Sequence, residues 1–135
     1  MLLAAALPLA ATRLFASTTL LFWARLEAQH PVGRWQAQRD SLIATIPVGY
    51  ADGYPRHAKD GTPVVVDGQC CPLAGRVSMD MITVDVTDLA RPVLGAAVEL
   101  WGRQLPVGEV AAAAETISYQ LLTGISARVR RQQLT

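Results

Sequence analysis

Gly75-Arg76-Val77-Ser78-Met79-Asp80-Met81-Ile82-Thr83-Val84-Asp85-Val86 sets the fold class of this 135-residue chain. Apolar and polar residues alternate along it, which is the period of a half-buried strand. The phase changes midway: Val77, Met79 and Met81 share one face, whereas Ile82, Val84 and Val86 share the other. Such a swap predicts a β-bulge or sharp twist near Met81 and Ile82, and bulges often re-aim a side chain beside a site. A strand buried on both faces gives the same pattern, and both readings stand.

The flanking sequence continues in the same class. Upstream, residues 42–48 (L-I-A-T-I-P-V) predict a strand that runs into Gly49-Tyr50-Ala51-Asp52-Gly53, where Asp-Gly marks a turn. The polar residues 54–63, with two prolines, read as a surface loop. Val64-Val65-Val66 followed by Asp67-Gly68 is a strand closed by a hairpin turn. Downstream, residues 96–101 (A-A-V-E-L-W) predict another strand, ended by Gly102. Pro106 then opens a helical pattern in Val107, Val110, Ala111 and Ala114, with Glu109 in its first turn. Thr116 predicts the cap of a second short helix over residues 117–123, stopped by Gly124. Arg128-Val129-Arg130-Arg131 predicts a last strand. There is no internal repeat and no low-complexity linker, so the expectation is one mainly-β domain carrying a short helical pair near its C-terminal end.

Composition narrows the partners. The length suits one ordinary domain that buries its own core without staples. Twelve basic residues nearly balance eleven acidic ones, which removes any charge-based argument for a nucleic acid or an acidic partner. Within the basic set there are eleven arginines and one lysine, Lys59. Arginine forks onto carboxylates and phosphates, whereas lysine forms Schiff bases, so a single lysine restricts what covalent chemistry the chain can carry. Cys70 and Cys71 are adjacent and cannot bridge each other without distorting the backbone, and no His/Cys cluster stands near them. They read as packing residues in a reducing compartment.

Residues 1–11 are almost wholly apolar, Thr12 and Arg13 interrupt them, and residues 14–24 are mostly apolar again. A secretory signal wants a basic stretch before its apolar run, and a membrane helix wants about 20 apolar residues, which Pro8 and Arg13 spoil. Three readings remain: a weak signal or anchor, a strand pair entering the domain, or a mistranslated start. The third is preferred because residues 1–29 match poorly the family named below.

Few polar residues invite chemistry. There is no Gly-rich phosphate loop, no Ser-His-Asp set and no metal-ligand spacing, so no metal is expected. His30 and His57 sit in polar or turn-like stretches and read as solvated. A Schiff-base lysine needs a desolvated pocket, and Lys59, between His57 and Asp60 just before Gly61, has none. What remains is Tyr50 with Tyr54 and Arg56, Arg76 ahead of Ser78-Met79-Asp80, Tyr119 and Arg131. Arg with Tyr suits recognition of a carboxylate or phosphate, although surface ion pairs explain most arginines equally well.

These residues carry a family resemblance. Ile46-Pro47-Val48-Gly49-Tyr50-Ala51-Asp52-Gly53-Tyr54-Pro55-Arg56 resembles the alanine racemase segment with a tyrosine at the mouth of the active site. Gly75-Arg76-Val77-Ser78-Met79-Asp80 resembles that family's G-R-(V/I)-x-M-D signature. Leu100-Trp101-Gly102, Thr116-Ile117-Ser118-Tyr119 and Arg128-Val129-Arg130-Arg131 follow in family order. Five ordered segments are far more specific than any one alone. The chain therefore resembles the C-terminal β-domain of an alanine racemase, over residues 32–131, with 1–31 a poorly matched apolar N-terminal segment and 132–135 a tail.

The resemblance implies a cytoplasmic, pyridoxal phosphate-dependent isomerase that interconverts L- and D-alanine for cell-wall synthesis. It implies a head-to-tail homodimer in which a barrel domain precedes this one, with no nucleic acid or membrane as partner. A barrel lysine and a tyrosine of the partner's β-domain would act on opposite faces of the substrate, because inversion needs a proton donor on each side. Met79 would hold the substrate carboxylate through its backbone N–H, and Tyr119 would give its hydroxyl to the cofactor phosphate. Tyr50 would narrow the access corridor, with Arg56, Arg76, Ile117 and Arg131 behind it. The plainer alternatives are Met79 as core filler, Tyr119 as a helix-face aromatic and the arginines as solvated charges.

Two departures limit what the chain does alone. No lysine here is suited to carry the cofactor. The family's catalytic tyrosine belongs to a V-G-Y-G stretch before a Trp, and the corresponding Val32-Gly33-Arg34-Trp35-Gln36-Ala37 is a few residues short and has no tyrosine. The expectation is an inactive isolated chain with no catalytic residue of its own. The alternative is a non-catalytic binding or dimerisation module of the same fold, and a relative acting on another amino acid such as serine is a third reading.

Overall fold

The computed structural model describes the backbone of residues 2–6, 13–19, 22–29, 31–90 and 94–133, and the side chains of most of residues 24–130. His30 and the side chain of Arg131 lie outside the described residues. In chain order the strands are β1 (Leu2–Ala6), β2 (Arg13–Thr19), β3 (Phe22–Leu26), β4 (Pro31–Val32), β5 (Trp35–Gln36), β6 (Ser41–Ile46), β7 (Pro63–Val66), β8 (Gln69–Pro72), β9 (Ile82–Asp85) and β10 (Ala97–Glu99). Helices α1 (Val107–Ala113) and α2 (Ser118–Thr123) follow, and β11 (Arg130–Gln133) closes the series.

One sheet runs β11-β1-β2-β10-β7-β8 and a second runs β3-β6-β9, with β4 and β5 as a small hairpin. Every pairing is antiparallel except β1 with β11, where Leu2 lies opposite Arg130. The apolar N-terminal residues thus supply an antiparallel strand pair, the second of the three readings given for them.

The core forms where the two larger sheets meet. Ile46, Val64, Val66, Leu73, Ile82, Val84, Val86 and Val98 are all at most 1% exposed. Each such side chain contributes roughly 1.5–3 kcal/mol of apolar burial. A bridge between Leu73 and Val84 carries the chain leaving β8 onto β9 and so joins the sheets. The Asp67-Gly68 turn joining β7 to β8 has both residues at positive φ, 49° and 80°, which is the two-residue hairpin its sequence predicts.

The opening stretch behaves differently from its alternation. Ile82, Val84 and Val86 do face the core, but the strand begins only at Ile82. Ahead of it there is neither a bulge nor a strand buried on both faces: Val77 is buried, while Met79 and Met81 are about half exposed. The reason is a turn, in which the N–H of Ser78 and its Oγ both donate to the Met81 carbonyl, at 3.0 and 2.8 Å. The strand expected over 42–48 runs instead from Ser41 to Ile46, and the one expected over 96–101 is trimmed to Ala97–Glu99.

Helix α1 ends in a Schellman arrangement. Glu115 N–H donates to Ala112 O and Thr116 N–H to Ala111 O, with Glu115 in the left-handed region at φ 57° where glycine is usual. Thr116 therefore belongs to the end of α1 and does not cap α2. Ile117 is the N-cap of α2 without a side-chain hydrogen bond, and the Thr116 hydroxyl pairs with the Gln120 side chain. Gly124 ends α2 as expected, because a Cβ there would stand 2.8 Å from the Gln120 carbonyl.

After β10 the chain wraps around a buried carboxylate. Glu99, 7% exposed, accepts N–H bonds from Arg103, Gln104 and Leu105 at 3.2, 2.9 and 2.9 Å. Its two carboxyl oxygens share the three converging donors.

On β8, Cys70 points to solvent and Cys71 into the core, and both thiols are free. Burial first, and then the neighbouring Cys70, push the Cys71 thiol from near 9 up to about 11. Ellman's reagent at pH 8 should therefore count one thiol in the native protein and two after unfolding; two fast thiols would refute the packing. Because the folded protein holds that proton more tightly than the unfolded chain, Cys71 supports stability fully below pH 9. That contribution is lost as pH rises through about 11. A Cys71→Ala variant should lack this alkaline slope in urea melts.

Candidate functional site

Three loops distant in sequence are knitted together at one end of the domain. The segment after β6 makes a single 3₁₀ turn, Tyr50–Asp52, whose Gly49 N–H is taken by Asp52 Oδ2 at 2.9 Å. Tyr50 and Ala51 then donate their N–H groups to the carbonyls of Ser78 and Met79, both at 3.0 Å. This docks the turn against residues 78–81. Gly49 makes the approach feasible: a Cβ there would stand 2.2 Å from Ser78 O and 2.3 Å from Met79 O. Gly53, at φ 112°, meets the segment after α2, where a Cβ would lie 2.6 Å from Gly124 O. Ser126 N–H also donates to Asp52 O at 3.0 Å.

The knot is completed electrostatically. Asp52 is buried, and its second carboxylate oxygen accepts Arg128 Nε at 2.6 Å, while Arg128 Nη2 contacts Asp80 Oδ1. The Asp52 and Asp80 carboxylates raise the Arg128 pKa above its already high value. Neither Asp52 nor Arg128 stands out in the sequence as a site residue. Both lie inside resemblance segments without a role of their own there, and Asp52 adds the Gly49-x-x-Asp52 spacing of a helix cap.

On this scaffold an open groove of about 660 Å³ brings Tyr50, Arg56, Arg76 and Met79 together, with Arg34, His57, Lys59 and Glu115 around them. The Arg56 guanidinium lies over the Tyr50 ring, 5.2 Å from its centroid, which holds both at the rim. Met79 is 50% exposed, and its carbonyl is used by Ala51 while its N–H donates to none of the described residues. That leaves a backbone donor without a partner among the described residues, on a residue that shares its groove with Arg34, Arg56 and Arg76, a setting for a carboxylate.

Tyr50 and Arg56 also wall an adjoining groove that reaches Thr116, Gln120 and Leu121. Thr116 in turn borders a third, more apolar groove that contains Ile117 and Tyr119, which are 63% and 76% exposed. The site residues expected from sequence thus fall into two groups along adjoining grooves, not one pocket. Arg131 contributes only described backbone, in β11 beside Leu3.

Several candidates are set aside by their surroundings. Tyr54 is buried against Trp101, ring centroids 6.3 Å apart, and burial pushes its phenol up, away from proton transfer at neutral pH. Lys59 is exposed and paired with Glu115, whose carboxyl it holds below the usual range. The residues present do not by themselves make a pyridoxal phosphate site: the only lysine is on the surface in an ion pair. Among the described residues no group of three or more His, Cys, Asp or Glu could hold a metal ion, and no helix is long and apolar enough to cross a membrane.

The family model described as alanine racemase, C-terminal domain, matches residues 15–133. Alanine racemases of Chromohalobacter salexigens and Stutzerimonas stutzeri are 57% and 59% identical over 100 residues, covering 74% of this chain and 28% of each relative. The crystal structure of the biosynthetic alanine racemase of Pseudomonas aeruginosa superposes with a TM-score of 0.89 at 41% identity, over 97% of this chain and 40% of that one. The Bartonella henselae alanine racemase, solved with covalently bound pyridoxal phosphate, gives 0.84 at 35% identity over 90% of this chain and 35% of that one. The chain thus spans little more than a quarter of the length of the curated relatives it matches. With sequence, fold and signature segments in agreement, this β-rich chain belongs to the alanine racemase C-terminal domain family.

Proposed function

We propose that this chain is the C-terminal part of a cytoplasmic, pyridoxal phosphate-dependent alanine racemase, and that it closes a coenzyme pocket borne by a separate barrel domain. The observation that carries the reading is the groove: Tyr50, Arg56 and Arg76 line it together with Met79, whose N–H has no partner among the described residues. Met79 N–H binds the substrate carboxylate. Tyr50 narrows access to it, and the Arg56 and Arg76 side chains line the corridor with positive charge that orients the carboxylate end of the zwitterionic substrate inward. Ile117 belongs to the same corridor wall. Arg131 is assigned to it by resemblance alone. Tyr119, exposed on α2, offers its hydroxyl to the cofactor phosphate.

Pyridoxal phosphate, bound by the barrel, would supply the electron sink that lets an α-proton leave. Neither proton-transfer residue is provided by this chain. The lone lysine is paired on the surface, and the Gly33-Arg34 turn carries no tyrosine. Each missing base costs roughly two to four orders of magnitude in rate. Purified chain with pyridoxal phosphate and L-alanine should therefore form D-alanine no faster than free cofactor; faster turnover would overturn the assignment of inactivity. A racemase polypeptide that keeps its barrel and tyrosine but lacks its own β-domain core should regain activity when this chain is added. Failure to associate would favour the other reading, a binding or dimerisation module that kept the fold and lost the chemistry.

A further inference from the structure

We infer that Arg128 is a positioning residue for the substrate carboxylate. By bridging Asp52 and Asp80, it holds the Tyr50–Asp52 turn and the residue 78–81 turn in the register that presents Met79 N–H to the groove. This rests on the reading of Met79 given above, but its geometric half stands on its own.

Met79 is fixed only by its neighbours. Its side chain is half exposed and lies outside the buried core that fixes the neighbouring strands. What aligns the peptide is the pair of bonds from Tyr50 and Ala51 to the carbonyls of Ser78 and Met79. Those bonds join two irregular turns, which lack the cooperative ladder of a sheet, so local opening there is a low-cost event. Arg128 arrives from a third segment, 76 residues beyond Asp52, and spans the joint. Its Nε grips the carboxylate that caps the first turn, and its Nη2 grips Asp80, the residue directly after Met79. The two ends differ in setting: Asp52 is 8% exposed at its side chain and Asp80 57%. Asp52 is thus the fixed anchor, and Asp80 is the movable end that Arg128 restrains. The planar guanidinium suits this task because two of its edges reach two acceptors at once, which an ammonium on a flexible stem does less well.

Native-state hydrogen exchange on the full chain tests the bridge. In Arg128→Gln the amides of Tyr50 and Ala51 should exchange about tenfold faster or more, as expected when a charge-assisted contact is removed from a local opening. The amides of Thr45 and Val84, inside the β6–β9 pair, should change by less than about threefold. Asp80→Asn, at an exposed position that puts folding at little risk, should reproduce the effect in weaker form. Arg128→Lys should restore only part of the protection. Uniform acceleration across the domain would reduce Arg128 to a general stabiliser, and unchanged Tyr50 and Ala51 amides would refute the bridge.

The functional half is read in the barrel-complemented enzyme. There Arg128→Gln should raise KM for alanine about tenfold while leaving kcat within about twofold, the pattern of lost ground-state binding. An unchanged KM alongside loosened amides would overturn the link to substrate. If the wild-type chain fails to restore activity at all, the racemase reading falls, and exchange still decides whether Arg128 holds the turns.

Discussion

Gly49→Ala should destabilise the domain by about 3 kcal/mol or more and lower its melting temperature by roughly 10 °C. The expectation rests on contact, not on backbone preference. Gly49 has φ −150° and ψ −167°, an extended conformation open to any residue. What it lacks is room: the added methyl would meet the Ser78 and Met79 carbonyl oxygens and the Met79 carbonyl carbon at 2.2–2.4 Å. All three belong to main chain, which cannot rotate away as the end of a side chain can. Relief requires the two turns to part, which breaks the Tyr50 and Ala51 bonds and moves Met79. A useful contrast is Gly33→Ala. Gly33 has φ 59°, but a methyl added there would find no atom within 4 Å, so only the left-handed backbone cost of about 1–2 kcal/mol applies. Urea melts of both variants check the pair, and Gly49→Ala within about 1 kcal/mol of wild type would refute the close approach.

Glu99→Ala should cost about 2–3 kcal/mol, because it removes the acceptor for three N–H groups, that of Leu105 buried and those of Arg103 and Gln104 part-buried. Glu99→Gln should be milder, about 1–2 kcal/mol. Its single oxygen, placed where Oε2 stands, still serves Gln104 and Leu105, which leaves only the Arg103 N–H facing an amide NH₂. The ordering matters more than the size. If the two variants were equally harmful, charge and not hydrogen-bond count would govern the loop; if Ala were harmless, the loop would owe nothing to Glu99. Thermal and chemical melts of the three proteins separate these outcomes.

What could be read from sequence follows how local each feature is. The Asp67-Gly68 hairpin and the buried face of Ile82, Val84 and Val86 depend on near neighbours, and both stand in the structure as the pattern implies. The turn at 78–81 was hidden because Val77, Met79 and Met81 mimic a strand, while a serine hydroxyl bonded three residues ahead decides the outcome. Thr116 looked like a cap because the sequence offers no glycine at the end of α1, whereas Glu115 adopts the left-handed conformation that glycine usually supplies. The gathering of Tyr50, Arg56, Arg76 and Met79 was legible through the signature segments, each short and specific. Asp52 and Arg128 lie inside two of those segments, but their pairing was not legible, since a carboxylate and its guanidinium 76 positions away leave no periodic trace.

The β4–β5 hairpin has a consequence for where this fold can change its length. Its tip, Gly33-Arg34, projects where an added methyl on Gly33 finds no atom, while the loops around Met79 are wedged main chain against main chain. Lengthening the tip by a few residues on the open side of Gly33, away from the Arg34–Asp60 ion pair, costs only a fraction of a kcal/mol in closure entropy per added residue. Chain length can therefore vary at this fingertip while the wedged loops beside it keep their register.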